Sequence, residues 1–464
     1  MCVLPSTASD RAFSGTVLHT PARGQLELLR DALIVVGRDG IIRAVHRRES
    51  AEAAAEAHRF AATGSLVTLQ PHQYLLPGLV DLHVHAPQWP QLGKALDLPL
   101  EEWLQAYTFP LESRYSDAAF AKTVYESLVE GLLANGTTTA LYFATIHLPA
   151  TQVLAAVCLR RAQRALIGRV AMDDVQLCPP YYRDVSATDA VSETRAFIQY
   201  VRSMPGNGTE LVKPVITPRF IPACSDELLT GLGALARESG CHVQTHCSES
   251  DWEHRFVLDR CGKSDAAALD GFGLLSPRTI LAHGNFVGDD DIALLRARGS
   301  AIAHCPLSNV YFSDAVFPLR KILQQGVRVG LGSDIAAGSS PSILDNARYA
   351  VIASRALEAG VDAALERSQR RCPDSRIDSV TAFWLATAGG GSALDLPVGV
   401  FREGYQFDAL LLDPEVAGSN LHIDPEEAPQ DILQKIIYLA SRTNIRAVWV
   451  ANRQVHAAQA FSRA

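Results

Sequence analysis

No run of about 18 apolar residues occurs anywhere in the sequence, so no segment reads as a bilayer-spanning helix. No CxxC pair exists among the nine cysteines, at 2, 158, 178, 224, 241, 247, 261, 305 and 372. An odd set of scattered thiols in a chain of 464 residues argues against a disulfide framework and for reduced thiols in the cytoplasm. Excess positive charge is absent too. The net charge is −8, whereas a nucleic-acid footprint is usually basic, so neither nucleic acid nor membrane is expected as a partner. Met1–Phe13 shows no basic stretch followed by an apolar one, and no signal peptide is expected. Internal repeats, low-complexity tracts and long charge runs are also missing. What remains is an ordinary globular composition: the 48% hydrophobic and 20% charged residues are enough for a sizeable core and too apolar for disorder.

Eight short apolar runs follow residue 75: Leu75–His85, Thr138–His147, Ala165–Asp173, Lys213–Phe220, His242–Glu249, Thr279–Asn285, Ala301–Pro306 and Val327–Asp334. Runs rich in Val, Ile, Leu and Thr suit strands buried on both faces. Helical patterns lie between them. The clearest is Ser116–Ala134, where Phe120, Val124, Leu128 and Leu132 recur every four residues, Ser116 or Asp117 can cap, and Asn135-Gly136 can stop the helix. Others are expected at Thr151–Gln163, Asp189–Arg202, Asp226–Ser239 and Asp289–Arg298. Strand–helix alternation on this scale predicts an α/β fold with a (β/α)8 barrel. Short strands at Gly15–His19, Ala32–Val36 and Ile41–Arg47, and at Phe407–Leu412, Ala447–Val450 and Gln454–Ala457, predict a small β-sandwich domain built from both chain ends. A helix is expected over Gln430–Ala440. The expected division is 1–74 and 393–464 for the two parts of the β domain, and 75–392 for the barrel.

Four of the eight strand ends carry metal-ligand residue types. The first ends Asp81-Leu82-His83-Val84-His85, and residues two apart on a strand share a face, so His83 and His85 can reach one ion. Alone this is weak, because 14 histidines would give about 0.4 such pairs by chance. The fifth strand adds His246, the sixth His283 and the eighth Asp334. In a barrel these C-terminal ends share one mouth. Neutral imidazoles with one carboxylate suit zinc, or iron in a similar site, with one position left for water. Glu249, three residues past His246, is placed to move a proton between water and a substrate nitrogen, or else to orient an imidazole. His283 can hold or deprotonate the water, and Asp334 can ligate and accept a proton.

The segment Leu76-Pro77-Gly78-Leu79-Val80-Asp81-Leu82-His83-Val84-His85 resembles the opening strand of the amidohydrolase superfamily. Further segments narrow the resemblance to the guanine deaminase branch. These are His85-Ala86-Pro87-Gln88, Leu96-Asp97-Leu98-Pro99-Leu100, and Trp103-Leu104-Gln105-Ala106-Tyr107-Thr108-Phe109-Pro110. Asn135-Gly136-Thr137-Thr138-Thr139-Ala140, Tyr142-Phe143-Ala144-Thr145-Ile146-His147, Thr217-Pro218-Arg219-Phe220 and Ala303-His304-Cys305-Pro306 join them. The resemblance implies hydrolysis of guanine to xanthine and ammonia at one zinc per chain, hydroxide on the metal attacking C2. It implies His83, His85, His246 and Asp334 as ligands, Glu249 as proton shuttle and His283 as the group assisting at the water. Gln88, Arg219 and Phe220 match purine contacts, with His85, His246, Glu249 and Asp334 bordering the substrate at the metal end. It also implies a homodimer.

Guanine's own chemistry agrees, since its O6 and N7 form the acceptor pair that an arginine fork reads in nucleic acid. Gln88 can donate and accept, and Phe220 or Trp89 can stack on the ring, although Trp89 also suits a core or lid role. His304 can line the site or serve the core. No lysine ends the fourth strand, where Lys213 stands at its start, so a carboxylated-lysine bridge between two metals is not expected. Two loops, Ser250–Arg255 and Ile335–Gly338, depart from the patterns of some relatives. Competing readings are a related enzyme acting on another purine, a triazine or a pyrimidine, and a non-catalytic scaffold, which would be expected to have lost metal ligands.

Overall fold

The computed structural model describes residues 9–313 and 315–458. Cys2 and most of the segment weighed above as a leader lie outside the described residues. Among the described residues no helix is long and apolar enough to cross a membrane.

Every one of the eight expected runs overlaps a strand of one parallel sheet. In chain order these are β6 (Leu79–His85), β7 (Thr137–Phe143), β8 (Arg164–Ala171), β9 (Val212–Pro218), β10 (His242–Cys247), β11 (Thr279–His283), β12 (Ala301–His304) and β13 (Arg328–Leu331). Neighbours in sequence are neighbours in the sheet, from β6 to β13. The two ends meet where the Asp334 N–H donates to the His83 carbonyl at 2.8 Å and the His85 N–H to the Ile335 carbonyl at 2.9 Å, nearly closing a barrel. Most strand positions are buried, as strands covered by side chains inside and helices outside must be.

The run Leu75–His85 is not one strand. It divides at Gly78, where a Cβ would press into the Thr138 side chain, so the chain passes there only without a side chain. The part before it, β5 (Tyr74–Pro77), belongs to a second sheet. That sheet takes β1 (Arg11–Ala22), β2 (Gln25–Val36), β3 (Ile42–His46) and β4 (Leu66–Thr68) from one end of the chain. From the other end come β14 (Ala409–Leu412), β15 (Ile445–Val450) and β16 (Arg453–Ala457). Its order is β16-β15-β14-β5-β1-β2-β3, with β4 beside β1, so the two ends join through the antiparallel pair β5–β14. Buried Phe13, Ile34, Phe407 and Trp449 form its apolar face.

Helices flank the barrel. The best-patterned one runs Ala118–Ala134, and Asp117 caps it by accepting the Ala119 N–H at 2.8 Å. Helices at Leu148–Arg161, Ala187–Ser203, Asp226–Ser239, Asp289–Arg298 and Pro429–Leu439 match the expected positions within a few residues. The helical stretch 100–113 and the helix Asp251–Cys261, both at the mouth of the barrel, escaped the sequence reading.

Candidate active site

Five side chains far apart in sequence converge at the C-terminal ends of four strands. The His83 and His85 rings, from β6, lie 4.8 Å apart, and the His246 ring, from β10, lies 5.0 Å from each. His85 Nε2 and His246 Nε2 are 3.0 Å apart. Asp334, three residues past β13, brings Oδ1 to 3.1 Å from His83 Nε2 and 3.6 Å from His85 Nε2. His283, at the end of β11, places Nε2 3.8 Å from Asp334 Oδ2 and 3.6 Å from Glu249 Oε2. None of the five is more than 7% exposed.

The backbone is bent to achieve this. His283 and Asp334 hold φ of 73° and 49°, and Ser248 holds 50°, a left-handed conformation that costs a non-glycine residue about 1–3 kcal/mol. Surrounding bonds oppose that cost. Asp81 accepts the N–H groups of Ser333 at 2.9 Å and His83 at 3.2 Å, tying the first strand to the last. Burial raises the Asp81 carboxyl to about 6, against the pull of these donors.

Hydrogen bonds also set the imidazole tautomers. His246 Nδ1 lies 2.6 Å from the Arg219 carbonyl, which can only accept, so Nδ1 carries the proton and Nε2 keeps a bare lone pair. His283 Nδ1 meets Asn309 Oδ1 at 2.9 Å; Asn309 donates to Asn285 at 2.8 Å, and Asn285 to the Glu249 carbonyl at 2.9 Å. Burial, and then the neighbouring imidazoles, holds His85 and His246 well below the usual histidine range; burial also lowers His283. For Asp334, burial works upward but is outweighed by His83 and the other imidazoles, leaving the carboxylate well below its usual range. Burial and the Asp334 charge push Glu249 up to about 8.

These donors fit a metal ion. His83 Nε2, His283 Nε2 and Asp334 Oδ1 are buried without a hydrogen-bond partner, a costly state for polar atoms unless something else meets them. One donor atom each from His83, His246 and His283, or from His83, His85 and Asp334, lies within 4.8 Å of the others. Neutral imidazoles and an ionised carboxylate are the forms that ligate. Cys305 also falls within that distance of His283 and Asp334. Its thiol lies 3.5 Å from the Ala303 carbonyl, and burial pushes its pKa well above the usual thiol range.

A small cavity opens on the cluster, lined by His85, Gln88, Arg219, Phe220, His246, Glu249 and Asp334 together with Leu100, Trp103, Leu104 and Ala337. All seven residues expected to border a substrate are therefore together, while His83 and His283 stand just behind the lining. The last four were missed. Three of them lie on the helical stretch 100–113, where Trp103 is anchored by its indole N–H on the Lys94 carbonyl at 3.0 Å and packs against Phe312.

Arg219, a candidate base reader that could equally serve as a salt-bridge partner at its strand end, makes such an ion pair. Its Nη1 donates to Glu112 Oε2 at 2.7 Å and its Nη2 to Glu112 Oε1 at 3.3 Å, so the fork end already grips a buried carboxylate. Any substrate contact must use the remaining N–H groups. Glu112 lies two residues beyond the Trp103–Pro110 segment and 107 residues from Arg219, so no local pattern in the sequence pairs the two. Trp89 is not at the cavity, since its indole donates to Ser127 Oγ at 3.1 Å and its ring packs against the helix Ala118–Ala134. His304 stacks on Phe317, with burial taking its pKa down to about 3. The loop Ser250–Arg255 turns into a helix capped by Ser250, and Glu253 Oε2 accepts the Glu249 N–H at 2.8 Å.

The amidohydrolase family model matches residues 74–455. The chain is 38% identical over 451 residues to a probable guanine deaminase of Schizosaccharomyces pombe, covering 96% of this chain and 83% of that one. It is 35% identical over 466 residues to the guanine deaminase of Homo sapiens, covering 98% of each. Among solved structures, the guanine deaminase from C. acetobutylicum with bound guanine superposes with a TM-score of 0.85 at 31% identity, over 97% of this chain and 100% of that one.

Proposed function

The chain belongs to the amidohydrolase family, and we propose that it hydrolyses guanine to xanthine and ammonia with one zinc per chain, a step in purine breakdown or salvage. The observation that carries this reading is the cavity itself, which brings residues of the metal-type cluster together with Arg219 and Gln88 in one lining. Full-length similarity to guanine deaminases supports the choice of ring.

His83, His85, His246 and Asp334 would hold the ion. A divalent metal there lowers the pKa of a bound water to about 7, which supplies the attacking oxygen near neutral pH. Glu249, whose carboxyl is pushed upward by burial and the Asp334 charge, is placed to take and give a proton. It accepts a proton from the water as oxygen bonds to C2, and passes it to N3, the ring nitrogen beside C2. The tetrahedral carbon then carries both hydroxyl and amine. Glu249, again a carboxylate, moves the hydroxyl proton to the amine; the C2–N bond breaks and ammonia leaves. His283 offers its bare Nε2 as an acceptor that orients the oxygen, because Nδ1 is committed to Asn309. Phe220 covers the ring, and Arg219 and Gln88 hold its far edge. The same reading carries a cytoplasmic homodimer.

Purified protein incubated with guanine should release xanthine, lose activity to a chelator and regain it with zinc. Protein that holds one metal per chain but leaves guanine unchanged, while turning over another ring from a purine, triazine and pyrimidine panel, overturns the substrate assignment.

A further inference from the structure

Glu112 is fully buried and bonds to both Arg219 and Gln88, two residues of the cavity lining. Its Oε2 accepts from Arg219 Nη1, and its Oε1 accepts both from Arg219 Nη2 and, at 2.9 Å, from Gln88 Nε2. Gln88 Oε1 in turn accepts the Ala336 N–H at 3.1 Å. A carboxylate can only accept and a backbone N–H can only donate, so the Gln88 amide has one orientation and cannot flip. Arg219 has both terminal nitrogens committed and its charge matched inside the protein, leaving a defined remainder of N–H groups. Burial alone would disfavour the Arg219 charge, and Glu112 reverses that.

The same bonds run back to the cluster. The Arg219 carbonyl orients His246, and Ala336 follows Asp334 by two residues. When C2 of a purine stands at the cluster, O6 and N7 lie across the ring, facing Arg219 and Gln88. Both atoms are acceptors and need donors opposite them.

We propose that Glu112 is the positioning residue that makes this site select a purine bearing oxygen at C6: it fixes Arg219 and Gln88 in a single donor arrangement aimed at the O6/N7 edge. The inference rests on the guanine reading above. Glu112 itself is not part of the cavity lining, and its oxygens hold the two lining residues it orients.

The test is direct binding, by calorimetry, of hypoxanthine and of unsubstituted purine to the zinc-loaded protein. Hypoxanthine has the O6 and N7 of guanine; purine lacks the oxygen. Wild type should prefer hypoxanthine. Glu112→Gln, whose amide must push an N–H against Arg219 or Gln88, should weaken hypoxanthine by about tenfold or more and purine by less than about threefold. Glu112→Asp keeps the charge that buried Arg219 needs but is too short to reach both partners. It should show the same selective loss, and it decides the matter if the Gln variant does not fold. Equal losses for the two ligands, no loss for hypoxanthine, or no preference in wild type would each overturn the proposal. Guanine turnover by wild type is followed in parallel. Absent turnover with the hypoxanthine preference intact and Glu112-dependent removes the assigned reaction and leaves the role of Glu112 standing.

Discussion

Residue identity at the cluster follows from what each atom must do. A hydrogen bond to one imidazole nitrogen fixes which nitrogen is left bare, and the Arg219 carbonyl and Asn309 amide do this for His246 and His283. Glu249 is different: it needs to exchange a proton and to stay free of ligation, and burial beside Asp334 pushes its carboxyl upward. Replacing Glu249 by Gln keeps size and removes the exchangeable proton. Guanine turnover should fall by about 10²–10⁴ while metal content by elemental analysis stays at one per chain. Wild-type turnover in that variant would remove the shuttle role. His83, His85, His246, His283 and Asp334 could be singled out together from residue type and strand position. Glu112 could not, because nothing in its immediate sequence marks which of several acids will meet a buried arginine.

Elements place these residues with uneven legibility. The eight barrel strands are readable because burial on both faces leaves unbroken apolar runs bounded by polar turns. The helical wall of the cavity is not. Its 100–113 stretch contains a π-helical turn at Leu104–Thr108, which breaks the 3.6-residue period that marks a helix. The turn after β13 depends on close backbone approach: a Cβ at Gly338 would fall on the Ser333 carbonyl, and the Gly338 N–H donates to the Asp334 carbonyl at 2.6 Å. Gly338→Ala should therefore displace Asp334. The expected result is a protein with near-native circular dichroism that loses metal on dialysis at least about tenfold faster than wild type, and unchanged retention would show that the turn can absorb the methyl group.

At the scale of the whole molecule, buried polar links tie the two sheets and the two chain ends together, beside the chain's own passage from β5 to β6 at Gly78. Arg164 of β8 grips Asp408 just before β14 through two hydrogen bonds at 3.0 and 3.1 Å, and the Asn452 amide reaches the Gly37 carbonyl between opposite ends of the chain. At the start of β10, His242 Nε2 meets the Leu394 carbonyl at 2.9 Å, and burial lowers its pKa from 6.5 to about 4. A histidine kept neutral in the folded state binds its proton later than in the unfolded one. Its contribution is whole above pH 6.5, is lost as pH falls toward 4, and amounts to at most about 3 kcal/mol. Urea midpoints of wild type should fall between pH 6.5 and 5 more steeply than those of His242→Gln, which still donates to Leu394 but does not titrate. Parallel slopes would assign the acid sensitivity to other groups.

Periodicity and residue type in the one-dimensional chain were sufficient for the barrel, the pairing of its ends into a second sheet, and the histidine–aspartate set, because backbone period and ligand chemistry are local properties. The closed fork of Arg219, the orientation of Gln88, the left-handed turns at His283 and Asp334 and the walls supplied by Leu100, Trp103 and Leu104 came from folding. Each depends on which distant group a side chain meets once water is excluded, and contacts of that kind carry no pattern along the sequence.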